Sequence, residues 1–316
     1  MAHETDSPPE SAIVFPGISQ ATFADVARFM VINPAARALA AEAGDALGYN
    51  LIDRYQENDG GYTEFSRTAF LVSCLALASW SAQEYGIEPQ LCAGPSFGGT
   101  AAAVWAGALS FPDAIRLTAR WSRCIEDYFA GEEELVTLSF ARTPTDRLAE
   151  IRAELDERGE WQDIACYLDE YFHMLSVRAA TLEWVQERVR AAGGFPLDTI
   201  SPPLHSARFA PLRDRLEQEL LSELNFTDPA IPVVCDHDGR IIRDAAGIHA
   251  MVLDAIVRPV RWPAVVATLS GHGIQKLYVS GQDSLWGRVA CTTRSFDVVI
   301  VTPAIALQPR RRRAIV

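Results

Sequence analysis

The chain is short of positive charge. Its 28 lysines and arginines face 41 aspartates and glutamates, giving a net charge of −13, and Lys276 is the only lysine. That balance argues against the basic surface that a phosphate backbone requires, so no nucleic acid is expected as a partner. The one dense basic run, Arg310–Arg313, lies at the very end, where a frayed, solvated terminus is the default reading. Long apolar runs are lacking: none reaches the length of a membrane span. The N-terminal Met1-Ala-His-Glu-Thr-Asp6 also lacks the basic n-region of a signal peptide. A cytoplasmic protein with no membrane attachment is expected. C-x-x-C spacing is absent as well. Cys74, Cys92, Cys124, Cys166, Cys235 and Cys291 are scattered in mostly apolar contexts, which favours buried thiols over disulfides, and no metal site is expected. No internal repeat or low-complexity segment stands out.

What remains is ordinary for a globular protein: 316 residues, 49% apolar and 22% charged, enough for one large core or two unequal domains. The most informative stretch is Gly94-Pro95-Ser96-Phe97-Gly98, a G-x-S-x-G pattern. It follows a short strand candidate, Glu88–Ala93, and precedes an alanine-rich helix candidate, Gly99–Leu109. A serine on a sharp strand-to-helix turn needs glycine on both sides, because close packing leaves no room for Cβ atoms. The helix behind it points N–H groups toward any oxyanion formed at that serine. A glycine- and serine-containing loop without chemistry is the alternative.

In chain order, Ala12–Phe15 reads as a strand ending at Pro16-Gly17. Helical runs follow at Phe23–Met30, Ala35–Leu47 and Thr63–Tyr85, the last apolar enough for the interior. Phe111 to about Phe129 has a helix start with proline near its first turn. Residues 132–193 then alternate strand candidates (Leu135–Ala141, Ile164–Leu168, Met174–Ala179) with charged helices (Thr145–Arg158, Ala180–Ala192). That order suggests a small inserted α+β unit. The main body resumes with the helix Phe209–Leu224, the strand Ile231–Cys235, helices near Ala245–Ile256 and Pro263–Ser270, and the strand Lys276–Val279.

With these pieces in order, residues 12–290 resemble the acyl-CoA:acyl-carrier-protein transacylases, the malonyl transacylases and polyketide synthase acyltransferases. The family's F-P-G-Q-G-S-Q is echoed, one residue short, by Phe15-Pro16-Gly17-Ile18-Ser19-Gln20. Its G-H-S-L-G elbow matches Gly94–Gly98. Its histidine, about 109 positions after the serine, falls on His205-Ser206. P-V-R-W is intact at Pro259–Trp262, and E-V-G/S-P resembles Tyr278-Val279-Ser280-Gly281. The resemblance implies an α/β fold. An α/β-hydrolase-like large subdomain with a parallel sheet (12–131 and 200–306) would carry an inserted ferredoxin-like small subdomain (132–199), between flexible termini (1–11 and 307–316). It also implies a ping-pong acyltransferase. Ser96 would be the nucleophile, His205 the base, the N–H groups of Phe97 and Ile18 the oxyanion hole, and a carbonyl near Ala255 the brace of the imidazole. No cofactor would be bound; the 4′-phosphopantetheine of a partner acyl carrier protein would bring the thioester to a monomeric enzyme.

The cargo is where the sequence departs from the family. The family arginine that pairs with a malonyl carboxylate aligns with Trp121, and Arg120 is about 100° away around a helix. A one-residue shift of register would restore Arg120. Pro95 replaces the elbow histidine, and Pro202-Pro203-Leu204 before His205 matches neither known selectivity pattern. Together these imply an acyl group without a free carboxylate, in the manner of relatives that move aminoacyl or dipeptidyl starters between carriers in macrolactam biosynthesis. A malonyl-type transacylase, an editing hydrolase and a non-catalytic carrier-binding protein are the alternatives. Asp169 and Glu170 are either partners for an amino group on the acyl chain or solvated loop carboxylates. Arg208, Arg258, Arg261, Arg288 and Arg294 are candidates for docking an acidic carrier, with a structural role favoured for Arg261.

Overall fold

The computed structural model describes residues 10–18, 22–58, 61–131, 133–283 and 285–308. Ser19 and Gln20 of the first motif and the tail arginines 310–313 lie outside the described residues. Among the described residues, eleven strands run in chain order: β1 (Ser11–Val14), β2 (Leu91–Ala93), β3 (Leu135–Ala141), β4 (Gln162–Asp169), β5 (Phe172–Arg178), β6 (Phe195–Ile200), β7 (Val233–Val234), β8 (Ile241–Ile242), β9 (Val260–Arg261), β10 (Lys276–Ser280) and β11 (Asp297–Val301).

Six of them form the larger sheet, in the order β11-β10-β1-β2-β7-β8. It is parallel throughout except for the β7–β8 hairpin. A parallel sheet must be covered on both faces, and the alternation along β1 does this. Ile13 points into one cluster with Phe70 and Leu71 of the helix Glu64–Tyr85. Ala12 and Val14 point into another, with Trp262, Val265 and Val266 of the helix Trp262–Gly271.

The helix Glu64–Tyr85 is long and apolar enough by composition to cross a membrane, which corrects the reading that no segment reaches that length. Yet 72% of its apolar window is buried inside the protein, which is how the core helix of such a sheet is placed. Thr63 caps its first turn by accepting from the Ser66 N–H, and Gly86 ends it at φ 62°.

The smaller sheet has the order β6-β3-β5-β4-β9. Its first four strands and the helices Thr145–Glu157 and Leu182–Ala191 form the β-α-β-β-α-β order of a ferredoxin-like unit. Strand β6 has no counterpart in the sequence reading. It contains Pro196 and leaves Phe195 59% and Leu197 38% exposed, so it is an edge strand without the pattern of a buried one. Strand β9 comes from the Pro-Val-Arg-Trp segment and pairs in parallel with β4 (Cys166 with Val260), tying the small sheet to the segment beside the site.

Candidate active site

Ser96 sits where β2 ends and the helix Gly98–Trp105 begins, and its φ of 55° is in the left-handed region. The backbone holds that strained conformation because the residues two positions away on either side, Gly94 and Gly98, have no side chains. A Cβ on Gly94 would overlap the Gly98 carbonyl, and a Cβ on Gly98 would overlap the carbonyl of Phe15, the residue just after β1. The glycine spacing is therefore a steric requirement of the turn.

Ser96 Oγ lies 2.8 Å from His205 Nε2, across 109 residues of sequence. His205 Nδ1 lies 3.1 Å from the Arg258 carbonyl. A carbonyl only accepts, so Nδ1 carries the proton and Nε2 presents its lone pair to the serine. This corrects the expectation of Ala255. The helix Ala245–Asp254 closes with the N–H groups of Ile256, Val257 and Arg258 turned back onto Leu253 and Asp254, which carries the chain on until Arg258 is the residue facing the imidazole. Ala255 lines the cavity instead. The Ile256 carbonyl accepts from the Ser206 N–H at 3.2 Å, fixing the neighbouring backbone. Burial, then the neighbouring His237, lower the pKa of His205 to about 4, with the Arg258 carbonyl opposing. The imidazole is thus a neutral base at pH 7.

A second layer lies beneath the serine. The Ser96 N–H donates to Asp236 Oδ2 at 2.7 Å, and Asp236 Oδ1 lies 3.3 Å from His237 Nδ1, both side chains being buried. Burial raises the carboxyl pKa of Asp236, while His237 and the Ser96 N–H act the other way. With Cys235 these residues bring three ligand-type atoms within 4.8 Å of one another. Burial pushes the Cys235 thiol up to about 12, so it stays protonated, and the carboxylate is already engaged by Ser96. Such a donor set suits a hydrogen-bonded support better than a metal. The sequence reading passed over Asp236 and His237, which have no spacing that marks them.

The cavity around Ser96 and His205 is also lined by Ile18, Phe97, Trp121, Pro203 and Leu204. Among the described residues, nothing in the protein accepts from the main-chain N–H of Phe97 or Ile18. Trp121 lines the cavity as the helical register required. Arg120 is exposed on the outer side of its helix, bonded to Glu223 at 3.1 Å and to the Glu219 carbonyl at 2.7 Å, which removes the shifted register.

The expectations for Pro95, Asp169 and Glu170 are corrected here. Pro95 is buried beneath the turn and is not among the residues lining the cavity; its carbonyl accepts from the Gly98 N–H at 3.0 Å. Asp169 and Glu170 line a separate groove with Arg261 and Arg294. They sit at the β4–β5 turn, past Ala165 and Cys166, the β4 residues that reach the cavity. Asp169 is occupied there, accepting from the Cys291 N–H at 3.0 Å and the Glu170 N–H at 2.8 Å. Of the arginines, Arg208 lies over the Trp161 ring, Arg258 pairs with Asp238 at 3.3 Å, Arg288 donates to the Asp283 carbonyl, Arg294 to that of Ala290, and Arg261 lies over Tyr167. The cavity also contains a charged residue that sequence reasoning missed, Arg67. Its signal was an arginine inside an otherwise apolar helical run.

Residues 139–200 match the family model of the VinK acyltransferase small domain. The chain is 29% identical over 284 residues to the malonyl CoA-acyl carrier protein transacylase of Salmonella typhimurium, covering 85% of this chain and 88% of that one. A malonyl-transacylase solved in complex with its type II polyketide synthase acyl carrier protein superposes with a TM-score of 0.83 at 25% identity, covering 94% and 97% of the two chains. The acyltransferase domain from the second module of the salinomycin polyketide synthase gives 0.78 at 26%, covering 94% and 69%. The chain is an acyltransferase. In this acyltransferase, the large parallel sheet supplies the serine turn, and the smaller sheet supplies one wall of the cavity through Thr137, Ala165, Cys166 and Met174.

Proposed function

We propose that this acyltransferase moves an acyl group to, or between, acyl carrier proteins through an ester on Ser96. The observation that carries the reading is the 2.8 Å contact of Ser96 Oγ with His205 Nε2, in a cavity that Phe97 and Ile18 also line. In the first half-reaction His205 takes the Oγ proton as Oγ attacks the thioester carbonyl. The tetrahedral oxyanion then meets the N–H groups of Phe97 and Ile18. Collapse breaks the C–S bond, and the proton on Nε2 passes to the leaving thiolate. In the second half-reaction the phosphopantetheine thiol of a carrier gives its proton to His205 and attacks the ester. Ser96 leaves and recovers the proton.

The resemblance to proteins named for carrier substrates supports the carrier as partner. Residues 132–199 would act as the small subdomain that closes over the acyl chain. For docking we favour Arg208 and Arg258, which lie nearest His205 in the sequence and in its hydrogen bonding. For cargo, Trp121 in the cavity supports an acyl group other than malonyl, such as an aminoacyl or dipeptidyl starter of a macrolactam-type polyketide. The second reading is a malonyl-type transacylase, favoured by one observation: the cavity does hold a guanidinium, that of Arg67.

Intact-mass spectrometry after incubation with acyl carrier donors tests the mechanism. A mass increase on the wild type that is absent in Ser96→Ala supports it, and no adduct with any donor makes the chain a carrier-binding protein. Adding an acceptor carrier then separates transfer from hydrolysis, since transfer yields acylated acceptor and hydrolysis yields free acid.

A further inference from the structure

Arg67 stands one turn after Glu64 in the helix Glu64–Tyr85, inside the continuously buried run 66–78, whose other residues are all apolar, small or hydroxylic. It is only 8% exposed, a state arginine rarely adopts unless paired. Among the described residues no carboxylate lies within ion-pair distance of it, and the one hydrogen bond of its side chain runs from Nε to the Tyr62 carbonyl at 3.1 Å. The Tyr62 ring adds a cation–π contact at 5.9 Å. Burial lowers the pKa of the guanidinium, while Glu126, an exposed residue, and Tyr62 act the other way. Arginine nevertheless stays charged in proteins. A guanidinium has five N–H donors in a planar fork, so the η side has donors to spare, and Arg67 lines the same cavity as Ser96, His205 and Trp121.

We infer that Arg67 anchors the acyl group, its η N–H groups donating to an oxygen of the acyl chain beyond the carbonyl that Ser96 attacks. The inference rests on the acyltransferase reading above and deepens it. A buried charge without a partner is unfavourable, and an acyl chain that supplies an acceptor oxygen relieves it in the Michaelis complex and the acyl-enzyme alike. A plain hydrocarbon chain leaves those donors unpaired. A free ammonium against Arg67 is repelled, so an aminoacyl cargo has to place its amino group elsewhere in the cavity. Two sources provide the oxygen: a carboxylate, as in a malonyl-type group, or an amide carbonyl, as in a dipeptidyl group. A carboxylate takes both arms of the fork, whereas an amide oxygen takes one or two N–H bonds without neutralising the charge.

The test compares three carrier-bound donors, malonyl, dipeptidyl and octanoyl, by the rate at which each acylates Ser96 in the full-length protein. The wild type is expected to prefer one oxygen-bearing donor over octanoyl, and the preferred donor identifies the source. Arg67→Gln keeps a donor for Tyr62 but removes the charge and the fork. It is expected to slow the preferred donor by about ten- to a hundredfold, the range of a lost hydrogen bond to a charged group, while octanoyl acylation is unchanged or faster. Arg67→Lys restores part of the rate when the source is a carboxylate and little when it is an amide. Retained octanoyl acylation in Arg67→Gln shows that the variant is folded. A wild type that prefers octanoyl, or a Gln variant that keeps the wild-type order of donors, overturns the inference while leaving the Ser96 mechanism standing. A variant slowed equally on all three donors also overturns it, because that pattern belongs to a structural role. A wild type acylated by none of them overturns the acyltransferase reading itself.

Discussion

The carboxylate of Asp236 accepts a hydrogen bond from the main-chain N–H of Ser96 at 2.7 Å, across 140 residues of sequence. The serine turn is therefore braced from β2 and from the segment just after β7, the strand that pairs with β2. The same carboxylate lies against His237, and His237 is the second cause of the low pKa of His205. One buried residue thus joins the strain at the nucleophile to the electrostatics of its base.

Replacing Asp236 by alanine leaves the Ser96 N–H without its buried acceptor and His237 without its neighbour. The expected cost is about 1–3 kcal/mol in stability, with a slower acylation of Ser96. Asp236→Asn keeps an acceptor oxygen for the N–H and is expected to recover most of the rate. Chemical denaturation alongside intact-mass acylation kinetics reads both quantities; an alanine variant as fast as wild type shows that the brace does not position the serine.

The lowered pKa of His205 sets a pH dependence with a definite sign. An ordinary histidine becomes protonated as pH falls through about 6.5. His205, at about 4, stays neutral and competent as a base well below that. The acid limb of kcat/KM for Ser96 acylation is therefore expected to fall below pH 6.5, toward 4. The same shift makes the native state bind fewer protons than the unfolded chain between those values. Its stabilising contribution is complete above about 6.5 and is lost as pH falls toward 4. An acid limb at or above 6.5 contradicts the burial of this imidazole.

Much of this was legible in the sequence because local sterics and periodicity carried it. Gly94 and Gly98 announced a turn with no space for Cβ atoms, and the apolar run before Tyr85 announced a core helix. The 109-residue separation of Ser96 and His205 acquired meaning only through a resemblance, since no local rule links residues so far apart. What stayed hidden has a common physical character. Asp236, the Arg258 carbonyl and strand β6 are defined by what lies across from them in space, and β6 in addition lacks a buried face. Asp169 and Glu170 were misplaced because a position past a hairpin turn cannot be assigned to one groove or another without the sheet register.

Gly98 offers a steric test of the turn. A Cβ there would collide with the Phe15 carbonyl and lie 2.9 Å from the Pro16 carbonyl oxygen, both backbone atoms that cannot rotate away. Gly98→Ala is expected to destabilise the protein by about 1–3 kcal/mol and to suppress acylation. Gly131→Ala, with nothing within 4 Å of its Cβ, is expected to change neither. Thermal melts of the two variants decide it; an unchanged Gly98→Ala melt shows that β1 yields more readily than its packing implies.

Arg120 and Trp121 are adjacent in sequence and opposite in consequence. Arg120 makes exposed contacts with Glu223 and the Glu219 carbonyl, on the side of its helix away from the cavity. Exposed ion pairs contribute only about 0–1 kcal/mol, so Arg120→Ala is expected to leave stability nearly unchanged and the order of acyl donors untouched. Trp121→Ala removes a large ring from the cavity wall. It is expected to shift donor preference toward bulkier acyl chains, at a cost of no more than about 3 kcal/mol because the ring is only partly buried. Competition among carrier-bound donors of increasing size, read by the mass of the Ser96 adduct, separates the two variants. A changed preference in Arg120→Ala with none in Trp121→Ala reverses the assignment of which side of this helix faces the cargo.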